Sequence, residues 1–192
     1  MSPSSSTTPN LAVSSSSSKV SPIWSRKKDL VYLVFFLVHG VVMLGFDLTH
    51  YYPAAVKPGW MTGVRTWYVA TYGDRFFYNP PSFFPLYSLL ELLFHLPLTL
   101  WLMPALLRND PRTPLALLVF SLETTVTTMT CLAEMWGWEE LSSAQRGWGG
   151  LGGMYGAYVV VAVFMGVDAW ARLERVVARA NGGVEPVAKK EL

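Results

Sequence analysis

An all-α, polytopic membrane protein, a four-helix bundle around a central lipophilic cavity, is the fold class that this sequence predicts. Three observations predict it. Of 192 residues, 52% are hydrophobic and only 15% charged, against roughly 25% charged in an average globular protein. Four stretches, about residues 29–50, 83–107, 114–136 and 150–172, are long and apolar enough to cross a hydrocarbon core of about 30 Å, which takes roughly 20 helical residues. The few ionisable residues inside those stretches recur at helical spacing, and a carboxylate at that depth costs about 2.5–3.5 kcal/mol unless it faces the bundle interior or water.

Residues 1–25 are rich in Ser, Thr and Pro and hold too little apolar area to offset the entropy of ordering them, so they are expected to be disordered. A cleavable signal peptide would put its charges first; here a polar tail precedes Arg26, Lys27 and Lys28, which abut an uncleaved first span. That span carries His39 and, two turns on near its far boundary, Asp47. The segment 50–82 that follows holds Trp60, Trp67, Tyr72 and Tyr78, amphipathic rings that favour the headgroup level.

The second span contains SLLELLFHLP, with Glu91 and His95 at i, i+4 on one helical face. Pro97 and Pro104 each remove a backbone donor and clash with the preceding turn, so a kink is expected there. Freed carbonyls at membrane depth are tolerated only beside protein or a cavity, which turns this face inward. The third span aligns Glu123, Thr127, Thr130 and Glu134 at i, i+4, i+7 and i+11, with Thr124, Thr125 and Thr128 beside that stripe. Threonines also serve as helix–helix contacts, but Glu123 lies too deep to reach the interface, whereas Glu134 can. Trp136, Trp138 and Trp148 bracket the loop after it. In the fourth span Gly149, Gly150, Gly152, Gly153 and Gly156 permit close helix approach, and Gly150, Gly152 and Gly153 equally allow a homodimer face. Tyr155 and Tyr158 can then reach the interior, and Asp168 with Arg172 reads as an interfacial pair.

Lys and Arg number eleven on the side of the two termini (Lys19, Arg26, Lys27, Lys28, Arg108, Arg112, Arg172, Arg175, Arg179, Lys189, Lys190) and four on the other (Lys57, Arg65, Arg75, Arg146). That bias places both termini in the cytosol and segments 50–82 and 137–149 in the lumen. The tail 174–192 ends KKEL, the form of a dilysine retrieval signal for the endoplasmic reticulum membrane. The one cysteine, Cys131, allows no intramolecular disulfide. A net charge of +2 without a basic block argues against nucleic acid as a partner. No residue is assigned to a metal, a cofactor or catalysis. Together the inward groups describe an apolar cavity with a few fixed polar groups, the form of a site for a lipophilic small molecule.

The order GFDLTHYYP, WYVATYGDRFFYNPPSFF, ELLFHLP, RTP, SLETTVTT and YGAYVVV resembles the EXPERA-domain membrane proteins over residues 28–172, and the sigma-2 receptor branch more closely than the emopamil-binding sterol isomerases. The resemblance implies a transmembrane domain over 26–173 that binds sterols or amphipathic amines, in contact with membrane lipid. It implies Asp47 as the carboxylate that pairs with a ligand amine and Glu91 as its protonated, hydrogen-bonded partner. Asp74 is implied as a structural acid, and His39, Thr127 and Tyr158 as pocket-lining positions. His95 stands where that branch usually has Gln, and Glu123 where it tends to have His. The isomerases carry a second glutamate one turn after the histidine; here that position is Met43. A sterol- or lipid-binding protein of the endoplasmic reticulum membrane, acting in sterol trafficking or homeostasis, is therefore expected ahead of a sterol Δ8–Δ7 isomerase, and both ahead of an adaptor whose acids only hold the bundle.

Overall fold

A computed structural model of the chain describes residues 21–182. Most of the Ser-rich tail and the KKEL signal lie outside the described residues. The expectation of disorder reaches too far at its end: Ile23–Ser25 form one 3-10 turn, in which the Ser25 N–H and Oγ both donate to the Pro22 carbonyl at 3.0 and 2.8 Å.

Four helical rods are long and apolar enough to cross a membrane, spanning Lys27–Tyr51, Phe84–Arg108, Thr113–Trp136 and Ser143–Gly182. The first consists of α1 (Lys27–Gly45) and a 3-10 turn, Asp47–Tyr51. Helix α2 (Gly59–Tyr72) crosses the following loop. The second rod is α3 (Phe84–Leu90), a π-helical turn (Glu91–His95) and α4 (Leu96–Arg108). Helix α5 (Thr113–Trp136) is the third. A short α6 (Ser143–Arg146), closed by a Ser142–Gln145 capping box, leads into α7 (Leu151–Gly182). No strand occurs among the described residues. The chain is thus an all-α, polytopic membrane bundle, as its composition predicts. Helix α7 runs ten residues beyond Arg172, so the start of the expected tail is helical.

Each rod buries one stripe. On α1, Asp29, Tyr32, Phe36, His39 and Met43 are buried at spacings of three and four, while Val31, Val34, Val38 and Val41 between them are more than half exposed. In water such a valine face would aggregate; in a bilayer it faces lipid. The inward stripes form two cores. Tyr32, Phe36, Leu102, Leu106, Leu117, Phe120 and Met165 pack toward the terminal side of the membrane. Phe76, Cys131, Met135, Trp138, Leu141 and Leu151 pack at the opposite end. Trp138, expected in an aromatic belt, is instead 2% exposed and edge-on to Phe76 at 4.8 Å, whereas Trp148 is 86% exposed.

Helices α5 and α7 make the most extensive pairing. They come close at Gly166, where a Cβ would come within 2.8 Å of Ser121 Oγ. A Cβ on Gly150 or Gly153 would instead overlap the carbonyls of Gln145 and Trp148, so those glycines serve the tight entry into α7 rather than a helix interface.

A charge network closes the terminal side. Arg172 donates to Asp29 Oδ1 at 2.6 Å and to Asp168 Oδ2 at 2.7 Å. Arg26 holds the other Asp29 oxygen at 2.5 Å and reaches the Leu106 carbonyl at 2.7 Å, satisfying an end group of α4. Tyr32 donates to Asp168 at 2.9 Å and Lys28 bridges it at 2.6 Å. The pair expected to be merely interfacial therefore joins α1, α4 and α7. Replacing Arg172 with Met should cost about 1.5–3 kcal/mol, because it strips a charge-assisted contact from two buried carboxylates that keep Arg26 and Lys28. Lys28→Met, at an exposed ammonium, should cost about 1 kcal/mol or less. Thermal unfolding of the detergent-purified variants checks this order.

Candidate functional site

Between the two cores the rods part around a cleft of about 920 Å³. Helix α1 and its 3-10 turn supply His39, Asp47 and His50; the second rod supplies Ser88, Glu91 and His95; α5 supplies Glu123, Thr124 and Thr127; α7 supplies Tyr158. Thus Asp47, Glu91, His39, His95, Thr127, Tyr158 and Glu123, scattered over some 120 positions of sequence, face one space. The walls between them are apolar, with Val42, Phe46, Phe77 and Phe84 among them.

The second rod bends where its acid and imidazole lie. Pro97 has no N–H for the Leu93 carbonyl and its ring presses on that turn. The helix relieves this by widening, so the Leu96 N–H reaches Glu91 O rather than the next carbonyl along. The distortion thus falls at Glu91–His95, one turn before the expected kink, as a π turn of the kind often found at functional sites. One outcome is that His95 does not meet Glu91. Its Nε2 hydrogen-bonds Glu123 on α5, and its ring lies 4.7 Å from Phe120 and 5.8 Å from His39. The Tyr158 hydroxyl contacts His39 Nδ1 at 3.5 Å.

On α5 the stripe facing the cleft is Glu123, Thr124, Thr127, Thr128 and Cys131. Thr130 and Glu134 turn away from it: Thr130 Oγ1 donates to Val126 O at 2.9 Å, and Glu134 accepts from Trp138 Nε1 at 3.3 Å. Thr127 itself donates to Glu123 O at 2.9 Å, so its hydroxyl is partly committed to its own helix. Three buried polar atoms on cleft residues have no protein partner among the described residues: His39 Nε2, His95 Nδ1 and Thr124 Oγ1. Buried polar atoms are nearly always paired, and these three gather at one cleft.

The Asp47 charge acts on Glu91 across the cleft, but no hydrogen bond joins their side chains among the described residues, in contrast to the bonded pair expected. Asp74 lies outside the lining, fully buried. Its Oδ2 accepts from Tyr68 OH at 2.9 Å and Tyr155 OH at 2.8 Å, and its Oδ1 from the Phe76 N–H at 3.1 Å. Burial raises its carboxyl above the ordinary carboxylate range, against the pull of those bonds. The same burial, with the Asp74 charge, raises the Tyr68 phenol. Asp74 therefore staples α2 and the following turn to α7 over the cleft. Gly73 makes the corner possible, closing α2 with φ 70°, a left-handed conformation that glycine adopts freely.

Sequence reasoning missed Arg65, Tyr68, His50 and Ser88, all of which line the cleft. The signal for the first two was present: Met61, Arg65, Tyr68 and Tyr72 fall at i, i+4, i+7 and i+11 on α2 and make its less exposed face, with Trp60 and Trp67 on the outer one. His50 and Ser88 meet only in the fold, with Ser88 Oγ 3.1 Å from His50 Nε2.

A protein-family model described as EXPERA (EXPanded EBP superfamily) matches residues 60–169, more than half of the chain. The matched segment includes Glu91, His95, Glu123, Thr127 and Tyr158 but stops short of His39 and Asp47 on the first rod. No curated protein matches the chain.

Asp74→Ala should orphan two phenols and a buried N–H, at about 1–3 kcal/mol for each group left unpaired. Asp74→Asn, whose carbonyl oxygen still accepts from both phenols, should cost less, and thermal melting of the two variants orders them.

Proposed function

This chain belongs to the EXPERA family (EXPanded EBP superfamily), and from that premise we propose that it binds a sterol or an amphipathic amine in its cleft, near the sigma-2 receptor branch of the family, as a non-enzymatic protein of sterol trafficking or homeostasis. The proposal includes the membrane of the endoplasmic reticulum as its site, with both termini cytosolic, as the Lys/Arg bias favours. The observation that carries it is the gathering of unpartnered polar atoms and acids in one apolar-walled space of about 920 Å³. Ligand sites are built this way, with apolar walls for affinity and a few polar groups for orientation. An ammonium entering between Asp47 and Glu91 relieves their mutual repulsion and gains charge-assisted hydrogen bonds. A sterol hydroxyl can pair with His39 Nε2 or Thr124 Oγ1.

A sterol Δ8–Δ7 isomerase is the second reading, and the His95–Glu123 pair beside Glu91 favours it, since such a reaction needs one group to protonate an alkene and another to remove a proton. Against it, the position one turn after His39 is Met43, fully buried and off the cleft. Asp47→Asn should weaken binding of a hydrophobic amine to the purified protein by about tenfold to a hundredfold, the value of a hydrogen bond to a charged group. Unchanged affinity would remove Asp47 from the site. Sterol profiling of yeast that lack the isomerase and express this chain separates the two readings: restored Δ7 sterols would establish the enzyme.

A further inference from the structure

The mouth of the cleft holds two opposite charges that do not meet. Asp47 opens the 3-10 turn after α1, and Arg65 lies on the inward face of α2; both line the cleft and each acts on the other electrostatically. No ion pair or hydrogen bond joins them among the described residues. Arg65 is held elsewhere. Its Nη1 donates to Thr49 Oγ1 at 3.2 Å, and the guanidinium stands 4.8 Å above the Phe77 ring. Thr49 is itself immobilised, with no exposed surface and its hydroxyl donating to Phe46 O at 2.7 Å. The other N–H groups of Arg65 have no protein partner among the described residues. Burial lowers the Arg65 pKa while Asp47 opposes that shift, so the protein compensates this cation only in part. The Asp47 carboxylate likewise has no hydrogen-bond donor among the described residues, although its backbone carbonyl accepts from His50 Nδ1 at 2.9 Å.

A plain amine seated on Asp47 satisfies one charge and brings a second cation toward Arg65. A ligand with an anion beside its ammonium satisfies both. The planar guanidinium fork suits a phosphate or carboxylate better than any neutral group, and the apolar walls beyond accept a hydrocarbon body. We infer that the cleft takes a zwitterionic amphiphile, its ammonium on Asp47 and its phosphate or carboxylate on Arg65. The inference rests on the reading of the cleft as an amphiphile site and specifies the head group that site accepts.

Sphingosine and sphingosine 1-phosphate make a matched pair of probes, with the same chain and the same ammonium and a phosphate only on the second. Their affinities are measured by competition with a fluorescent amphiphile on the full chain in non-ionic detergent. Wild type should bind the phosphate-bearing probe about tenfold more tightly, the scale of a charge-assisted contact. Arg65→Gln should abolish that preference by weakening sphingosine 1-phosphate and tightening sphingosine, while Arg65→Lys should keep it in part. Asp47→Asn should weaken both probes. Equal affinities in wild type, or an Arg65→Gln change of the same sign for both probes, would overturn the inference and make Arg65 only a counter-ion. Sphingosine binding without the phosphate preference would leave the broader reading of the cleft standing. Binding of neither probe to wild type would overturn the inference and the amine form of the broader reading, and leave its sterol form standing.

Discussion

A carboxylate buried at the end of a membrane bundle has little water to turn to, so Asp29 and Asp168 are tolerable where they lie because Arg172 stands between them, with Arg26 and Lys28 on their outer sides. That guanidinium makes an inter-helix joint out of charges that would otherwise drive α1 and α7 apart. Arg26 extends it to the end of α4 through the Leu106 carbonyl, and Tyr32 adds a buried hydroxyl. The aromatic and aliphatic core above it, from Tyr32 and Phe36 to Met165, then packs against a fixed geometry rather than setting it. Hydrophobic attraction is weak between helices already dissolved in hydrocarbon, so such polar joints and close van der Waals fits hold the bundle together.

The opposite end is closed by a different device with the same logic. Asp74, stapled by Tyr68, Tyr155 and the Phe76 amide, pins the α2 segment across the mouth. With both ends tied, the middle of the bundle can remain open. The π turn at Glu91–His95 widens the second rod there, and His95 leans across to Glu123. The cleft thus results from two stiff ends and one locally underwound helix. Its polar lining is left incompletely paired at His39, His95 and Thr124.

The resemblance between this chain and the EXPERA proteins is carried mainly by these parts. Residues 60–169 take in α2, the Asp74 corner, the π turn and the acidic stripe of α5. The first rod, which contributes His39 and Asp47, stands outside that match, so its role in the cleft is argued from geometry. Within the match, His95 and Glu123 bond to each other across the second and third rods.

The sequence alone determined the number and extent of the spans, because hydrocarbon thickness sets a minimum apolar length that local composition reveals. It also determined which residues would be costly in lipid and so would face inward: Glu91, His95, Glu123, His39 and Asp47 all line the cleft. Partners were decided only by tertiary structure. Helical spacing placed Glu91 beside His95, yet the proline-driven π turn sent His95 to Glu123. An even stripe on α5 extended to Thr130 and Glu134, yet the cleft takes Glu123, Thr124, Thr127, Thr128 and Cys131. Arg65, which looked like one lumenal charge among four, was turned into the cleft by the fold of α2 over the Asp74 corner. Spacing along one helix encodes a face, whereas a contact needs the rotation, tilt and depth of two helices together, and those follow from joints between residues 28 to 143 positions apart.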